Sequence, residues 1–599
     1  MVKTMKSPHY LIQSAQPSSH IFEVTLSLAD PKAEERLWMP TWIPGSYLIR
    51  EFARNVMDIC AQDEQGSLSI HKTDKSSWIV KTRGLPSTVR YRIYAWDLSV
   101  RAAHLDQTHG YFNGTSVFLA VEGRENQEHH VAIEAPVGCE HWKVATTLTK
   151  KDGALYEFGS YIAADYDSLI DHPVEMGTFS LFHFEASGVP HEVSITGIHN
   201  ANEERLCNDL QRICTYFINF FGSPAPMPRY LFQVMVVGSG YGGLEHRSST
   251  SLLCSRNDLP STPEQPKKGK YLQFLGLCSH EYFHTWNVKR IKPEAYLPYD
   301  LSKEAYSQQL WAFEGITSYY DDLALVRTAL INEETYLSLV AETITRVLST
   351  PGRHVQSVAD SSFDTWIKFY RQDENSPNSL ISYYAKGSLI ALGLDLYLRI
   401  HTDISLDDVM KALWQAYGQI GVGVPENGIQ VLAERLSGIS VNDFFARYIY
   451  GTEDIPLAEY LSFFGLSLNM RTANSQQDTG GTKECTHKDA GSIGASFSSC
   501  SEGVLLNHVY TNSPAMKAGL SAGDKIIAIN HIQAQHSNIF TQIAQTKVGT
   551  PLVLHAFRRD ELMVFTVIVE EAPQTVAYIT QAENPSQTDV LRKNAWLMS

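Results

Sequence analysis

The run His280-Glu281-Tyr282-Phe283-His284 constrains this chain more than any other stretch. On an α-helix a spacing of four puts both imidazoles on one face, where they can hold a single metal ion. Glu281 follows the first histidine directly. Its carboxylate flanks the site without being aimed as a ligand, and it can take a proton from a metal-bound water. The surrounding pattern predicts a helix over Leu272–Asn287. So short a match also arises by chance, with two histidines packed into a helical core, and the rest of the chain has to decide between the two readings.

Among 599 residues, 49 Lys+Arg face 65 Asp+Glu, a net charge of −16. That balance argues against a nucleic-acid partner. A hydrophobic content of 43% describes a globular protein long enough for roughly three or four domains. No apolar stretch approaches the roughly 20 residues of a membrane span, so no membrane association is expected. Met1–His20 carries lysines but no apolar h-region, which predicts no secretory signal. The eight cysteines are scattered without a CxxC pair, as in a reduced, cytoplasmic protein.

Residues 1–185 read as an all-β domain, a sandwich of two packed sheets. Phe22, Val24, Leu26 and Leu28 alternate with polar residues, as do Val89, Tyr91 and Ile93, the period-2 pattern of half-buried strands. Within this region Met39–Tyr47 (MPTWIPGSY) sets two prolines among exposed-looking aromatics. It reads either as a packed corner or as a rigid loop lining a substrate site. Residues 186–471 read as an α+β unit, strands followed by helices. A helix covers Leu206–Phe221, a buried strand Tyr230–Val237 and a second strand-like piece Ser251–Cys254, with a surface loop over Arg256–Lys270. Helices are expected over Leu310–Ala329, Glu333–Leu348, Ser388–Ile400, Asp407–Tyr417 and Ile429–Leu436.

Residues 472–491 are polar and glycine-rich and read as a linker, and the polar tail 574–599 is expected to be partly disordered. Between them, 492–573 carries Ser513-Pro514-Ala515-Met516-Lys517-Ala518-Gly519-Leu520 and then Gly523-Asp524-Lys525-Ile526-Ile527-Ala528-Ile529-Asn530. This module resembles a PDZ domain. The resemblance implies that Ile493, Gly494 and Ala495 offer backbone N–H groups to a peptide C-terminus, which joins the sheet edge as a strand. A purely intramolecular role is the other reading.

A catalytic zinc site needs a third protein ligand and an open position. Glu304, in Ser302-Lys303-Glu304-Ala305, has ordinary surface company. Glu314 lies in Leu310-Trp311-Ala312-Phe313-Glu314-Gly315, where an acid between bulky apolar residues is unlike a solvated one. The choice falls on Glu314, with Glu304 the alternative. The same segment resembles the L-W-x-x-E-G of aminopeptidase N-like zinc peptidases, whose glutamate is the third ligand. Gly242-Gly243-Leu244-Glu245-His246 stands where those enzymes have G-x-M-E-N, and Tyr384-Ala385-Lys386-Gly387 where they have Y-E-K-G. The wider gap before Glu314, His246 in place of asparagine, Trp42–Tyr47, the run His284–Arg290 and the appended PDZ module together resemble the glycyl aminopeptidase family. That family joins an N-terminal β domain, a thermolysin-like catalytic domain and a PDZ domain.

The resemblance implies a zinc aminopeptidase that removes an N-terminal Gly or Ala from peptides by a metal-activated water. One Zn²⁺ per chain would be held by His280, His284 and Glu314, with Glu281 as general base. Tyr384 would donate to the oxyanion, and Tyr383 is its competitor for that role. Glu245 would receive the substrate ammonium, beside a backbone kept bare by Gly242 and Gly243. On residues alone Glu245 could instead pair with Arg247. A zinc endopeptidase on the same scaffold and a non-catalytic PDZ-bearing scaffold are the other readings.

Overall fold

The computed structural model describes residues 7–263, 269–486 and 489–598. Parts of the expected N-terminal segment, surface loop, linker and tail (residues 1–6, 264–268, 487–488 and 599) lie outside the described residues. The chain forms two compact units: Met1–Tyr306 with Trp414–Gly423, and Ser307–Leu413 with Val424–Ser599.

In the first unit the β alternation is as expected. Ile21–Leu28 buries every second residue and sits between His9–Gln13 and Ser87–Tyr94 in an eleven-stranded sheet. A four-stranded sheet, which includes Ala103–Leu105 and His109–Phe112, adjoins it. Phe22 meets Phe112 edge to face at 5.7 Å between the two. The loop Met39–Tyr47 is not exposed: Trp42, Ile43 and Tyr47 are buried. Trp42 Nε1 donates to the Asp300 carbonyl at 3.0 Å, and the Thr41 amide donates to the Leu301 carbonyl at 2.8 Å.

A five-stranded sheet then positions the site. Its order is Ser180–Ala186, Val189–Thr196, Tyr230–Val237, Ser249–Ser255 and, at the edge, Tyr241–Glu245. Tyr230–Val237 pairs in parallel on both sides, which explains its nearly unbroken apolar sequence. The edge strand returns antiparallel, placing Glu245 opposite Thr250. Glu203–Phe221 and Gly269–Phe283 are helices packed together through Phe217 and Phe283, whose rings lie 5.2 Å apart.

The second unit is mostly helical. Its helices begin and end within a few residues of expectation, with two differences of kind. Trp311–Ile316 is a π-helical turn running into an α-helix over Thr317–Arg327, and Trp414–Gly418, assigned to the first unit, is a second π turn. Gly315 touches Gly387 on Ala385–His401, where a Cβ would come within 2.6 Å of backbone.

The segment expected to be a linker is tied down instead. Arg471 forks onto Asp478 at 2.6 and 3.0 Å, and Asn474 bonds the Glu484 carbonyl and the Thr486 amide. Gly480 and Gly481 press on Thr345 and Ser338. The expected tail is also ordered. Val576–Gln581 pairs with Leu466–Arg471, and Gln587–Leu597 is a helix. Its Trp596 is fully buried and donates to the Tyr319 hydroxyl at 2.9 Å. Polar composition hid a few well-placed anchors, namely Val576, Ala577, Trp596 and Leu597.

The PDZ-like module closes around Ile493, Val504, Leu506, Ile526, Leu554 and Val567. Its outer strand Ala495–Cys500 pairs on one side with Gly503–Val509. Toward the tied-down segment, the Phe497 amide donates to Gln476 Oε1 at 2.9 Å and Gln476 Nε2 donates to the Phe497 carbonyl at 2.6 Å. On the partner strand and just beyond it, Asn378 bonds the Val509 carbonyl and the Thr511 amide, and His508 bonds the Glu374 carbonyl. Replacing Trp596 by Ala removes the largest anchor of the C-terminal helix, at an expected cost of about 3–5 kcal/mol. Chemical denaturation checks this; a loss under about 0.5 kcal/mol would mean the helix does not support the unit.

Candidate active site

The helix that carries HExxH stops at Phe283, four residues short of the predicted end. Bonds from Thr285 N to the Tyr282 carbonyl and from Trp286 N to the Phe283 carbonyl tighten the chain there. Arg290 secures the turn by donating to the carbonyls of Thr285, Arg247 and Pro226. The turn brings the Asn287 carbonyl to His284 Nδ1 at 2.6 Å. A carbonyl only accepts, so Nδ1 carries the proton and Nε2 keeps its lone pair for a metal. The rings of His280 and His284 stand 4.6 Å apart and nearly perpendicular, as the four-residue spacing requires.

Glu281 and Glu245, both buried, gather at His284, with one donor atom of each within 4.8 Å of the others. Edge strand and helix approach this closely because Gly243 lacks a side chain; a Cβ there would overlap Glu281 Oε1. A Cβ at Gly242 would meet open space by comparison, with Arg101 Nη1 nearest at 4.0 Å. Arg101 holds the strand by donating to the Gly243 carbonyl at 3.3 Å. Gly45, at φ +97°, lies against Glu245, whose carboxylate oxygens would be 2.5 Å from a Cβ at that position. The loop Met39–Tyr47 is therefore both a packed corner and a neighbour of the site.

Glu245 Oε1 is buried with no hydrogen-bond partner among the described residues. Arg247, the alternative partner considered from sequence, is engaged by Asp167 and Asp171. Asp171 also meets His246 Nδ1 at 3.1 Å and Lys289 Nζ at 2.7 Å. Burial alone would raise the Asp171 pKa, but Lys289, His246 and Arg247 hold it well below the usual carboxylate range. Burial pushes His246 down, against the pull of Asp171. His246 and Lys289 thus anchor the strand end that presents Glu245.

Within the second unit Glu314 is buried on the π-helical turn, a local geometry frequent at functional sites. Tyr383 is fully buried, with its hydroxyl on Thr365 at 3.0 Å. Tyr384 is partly exposed, and its hydroxyl meets that of Tyr370 at 3.1 Å. Burial, then the Glu314 carboxylate and Tyr370, push the Tyr384 phenol well above its ordinary pKa, so it remains a donor at neutral pH. Lys386 lies inward on the carbonyls of Arg353 and Thr452. Glu304 is half-exposed on irregular chain and joins no metal-capable group among the described residues. Sequence reading missed Tyr370 and Arg101. Neither sits in a motif, and the aromatic pair Phe369-Tyr370 was the only signal of the first.

An HExxH helix thus lies against an edge strand that bears a buried carboxylate. Three family models match the chain: the peptidase M61 N-terminal domain over residues 9–178, M61 glycyl aminopeptidase over 273–390, and a PDZ domain over 491–569. The structure is similar to that of an aminopeptidase N family protein from Idiomarina loihiensis, with 40% identity, a TM-score of 0.94 and coverage of 99% of this chain and 100% of that one. An M1 zinc metallopeptidase from Deinococcus radiodurans gives 12% identity and a TM-score of 0.47, over 76% of this chain and 95% of that one. Serine endoprotease DegS from Haemophilus influenzae is 32% identical over 77 residues, 13% of this chain and 23% of its own length. The chain thus spans only about a quarter of that curated relative. It belongs to the M61 glycyl aminopeptidase family, and with that to the aminopeptidases.

All eight cysteines are free thiols. Among the described residues, no helix is long and apolar enough to cross a membrane. Asp171→Ala would leave Lys289 buried and unpaired and should cost about 3–5 kcal/mol. Because the folded Asp171 pKa lies below the unfolded one, its contribution is present above about pH 4 and is lost as pH falls through the folded value. Denaturant unfolding at pH 7 tests this; an unchanged midpoint would rule the anchor out.

Proposed function

We propose that this enzyme removes the N-terminal residue, Gly or Ala, from peptides, at a zinc site formed by His280, His284 and Glu314. The observation that carries the reading is Glu245, a buried carboxylate beside Glu281 and His284 with one oxygen unpartnered. A free α-ammonium supplies that partner together with a charge to match the carboxylate, whereas an internal peptide bond offers only a neutral N–H. Two imidazoles and a carboxylate suit zinc, and the proton fixed on His284 Nδ1 supports Nε2 as the ligand atom. Glu314, buried on its π turn, is favoured over the half-exposed Glu304 as the third ligand.

Zinc, when bound, supplies a Lewis acid that polarises the scissile carbonyl and lowers the pKa of water to about 7. Glu281 takes the proton of the attacking water and delivers it to the leaving amine. Tyr384 donates to the developing oxyanion, with Tyr370 fixing its hydroxyl; Tyr383, engaged by Thr365, is less suited. Gly242 and Gly243 let the substrate backbone run close along the edge strand. The preference for a small first residue is carried over from the M61 glycyl aminopeptidase family. The free thiols support a reducing, cytoplasmic setting.

A fluorogenic panel tests the reading. Free Gly- and Ala- substrates should be cleaved and N-blocked peptides should not; the reverse would identify an endopeptidase. Glu245→Gln should lower kcat/KM by about 3 kcal/mol, roughly 100-fold. Glu281→Gln should cut kcat by about 10²–10⁴-fold with zinc retained. Glu314→Gln, but not Glu304→Gln, should lose zinc by elemental analysis; loss only on changing Glu304 would reverse the ligand assignment.

The PDZ module is proposed to take a peptide C-terminus at Ile493, Gly494 and Ala495. Gln476 occupies the Phe497 amide and carbonyl that an added strand would use, so a ligand in trans has to displace it. Gln476→Ala should tighten binding of a C-terminal peptide by about 1–2 kcal/mol, up to roughly 30-fold. Unchanged affinity by calorimetry would show that the incoming strand runs elsewhere.

A further inference from the structure

A second set of metal-capable side chains lies on the hairpin of Ala103–Leu105 and His109–Phe112, sharing no residue with the HExxH site. His104, Asp106 and His109 each present a donor atom within 4.8 Å of the other two. The sequence dictates the grouping. His104 and Asp106 are two apart, and pairing of His104 with Tyr111 puts His109 on the same face of the opposite strand. The two rings lie 4.8 Å apart at 15°, and both histidines are more than nine-tenths buried, at 6% and 4% exposure.

Two observations set this cluster apart from a simple aromatic stack. His104 Nδ1 is buried with no hydrogen-bond partner among the described residues, an arrangement that is destabilising unless a ligand satisfies it. His109 Nδ1 is backed by Glu175 Oε1 at 3.2 Å, which in turn accepts from Thr196 at 2.9 Å. A carboxylate behind an imidazole is the arrangement that orients ligating histidines. Asp106 is also fixed, with Oδ1 accepting from the Thr108 amide and hydroxyl, each at 2.6 Å, and from the His109 amide at 3.1 Å.

We propose that His104, Asp106 and His109 form a second divalent-metal site, whose two nitrogens and one oxygen suit Zn²⁺ and neighbouring late first-row ions. Nδ1–H of His109 stays on Glu175, and Nε2 faces the ion. The ion clamps the base of a segment whose Arg101 holds the Gly243 carbonyl and whose Tyr111 hydroxyl donates to Ser251 at 2.9 Å. It thereby stiffens the strand that carries Glu245, a positioning role that does not depend on the reaction assigned above.

The test is metal stoichiometry on the full chain, stripped by chelator, dialysed against Zn²⁺ and measured by elemental analysis. Wild type should hold two equivalents, His280→Ala/His284→Ala one, and that variant with His104→Ala added none. Co²⁺ in the His280→Ala/His284→Ala protein should give visible d–d bands that Asp106→Asn removes. The double variant leaves the hairpin intact, so its count decides even if His104→Ala fails to fold. No zinc and no Co²⁺ bands in it would overturn the second site. Wild type with a single equivalent that survives loss of His280 and His284 but not of His104 would support the hairpin site while refuting the proposed catalytic one.

Discussion

The site of the first unit depends on a missing side chain. At Gly243 the edge strand rests directly on Glu281, and any other residue type would displace the Glu281 side chain or part the strand from the helix. That contact sets how far a carboxylate of the strand stands from the base on the helix. Much of the surrounding structure serves it: the antiparallel return of the edge strand, Arg101 on the Gly243 carbonyl and the turn that ends the helix after Phe283. Charge holds the same geometry from below. Asp171 gathers Lys289, His246 and Arg247, linking the run after HExxH to the strand end after Glu245. Such a buried cluster contributes little net stability but penalises any other arrangement strongly, because each broken pair leaves a charge in a low dielectric.

The sequence was informative where a pattern is local. Period-2 burial in Ile21–Leu28, the apolar run Tyr230–Val237 and the four-residue histidine spacing all carried into the structure. The apolar company of Glu314 correctly announced a buried acid. Reading failed where long-range partners decide. The loop Met39–Tyr47 looked exposed until Asp300 and Leu301, some 260 positions away, covered it. The helix end at Phe283 depends on Arg290 reaching Pro226 and Arg247. Residues 472–486 have linker composition, yet the fork of Arg471 on Asp478 and two glycines with no room for a side chain give them one path. Tyr370 is chemically placed only by the fold that sets it beside Tyr384.

The hydrogen bonds of Asn378, Glu374 and the hairpin end at His508–Thr511 bear on how this chain can be divided. Residues 374–378 lie in sequence between Tyr370 and Tyr384, and the PDZ hairpin supports them directly. A cut at the glycine-rich segment, the boundary that composition suggests, would strip that support from the stretch between the two phenols. It would also expose the partners of Val576, Ala577 and Trp596. The C-terminal fifth is thus not cargo appended to a finished enzyme. It is part of the wall of the helical unit, and the two cannot be exchanged among relatives as independent cassettes.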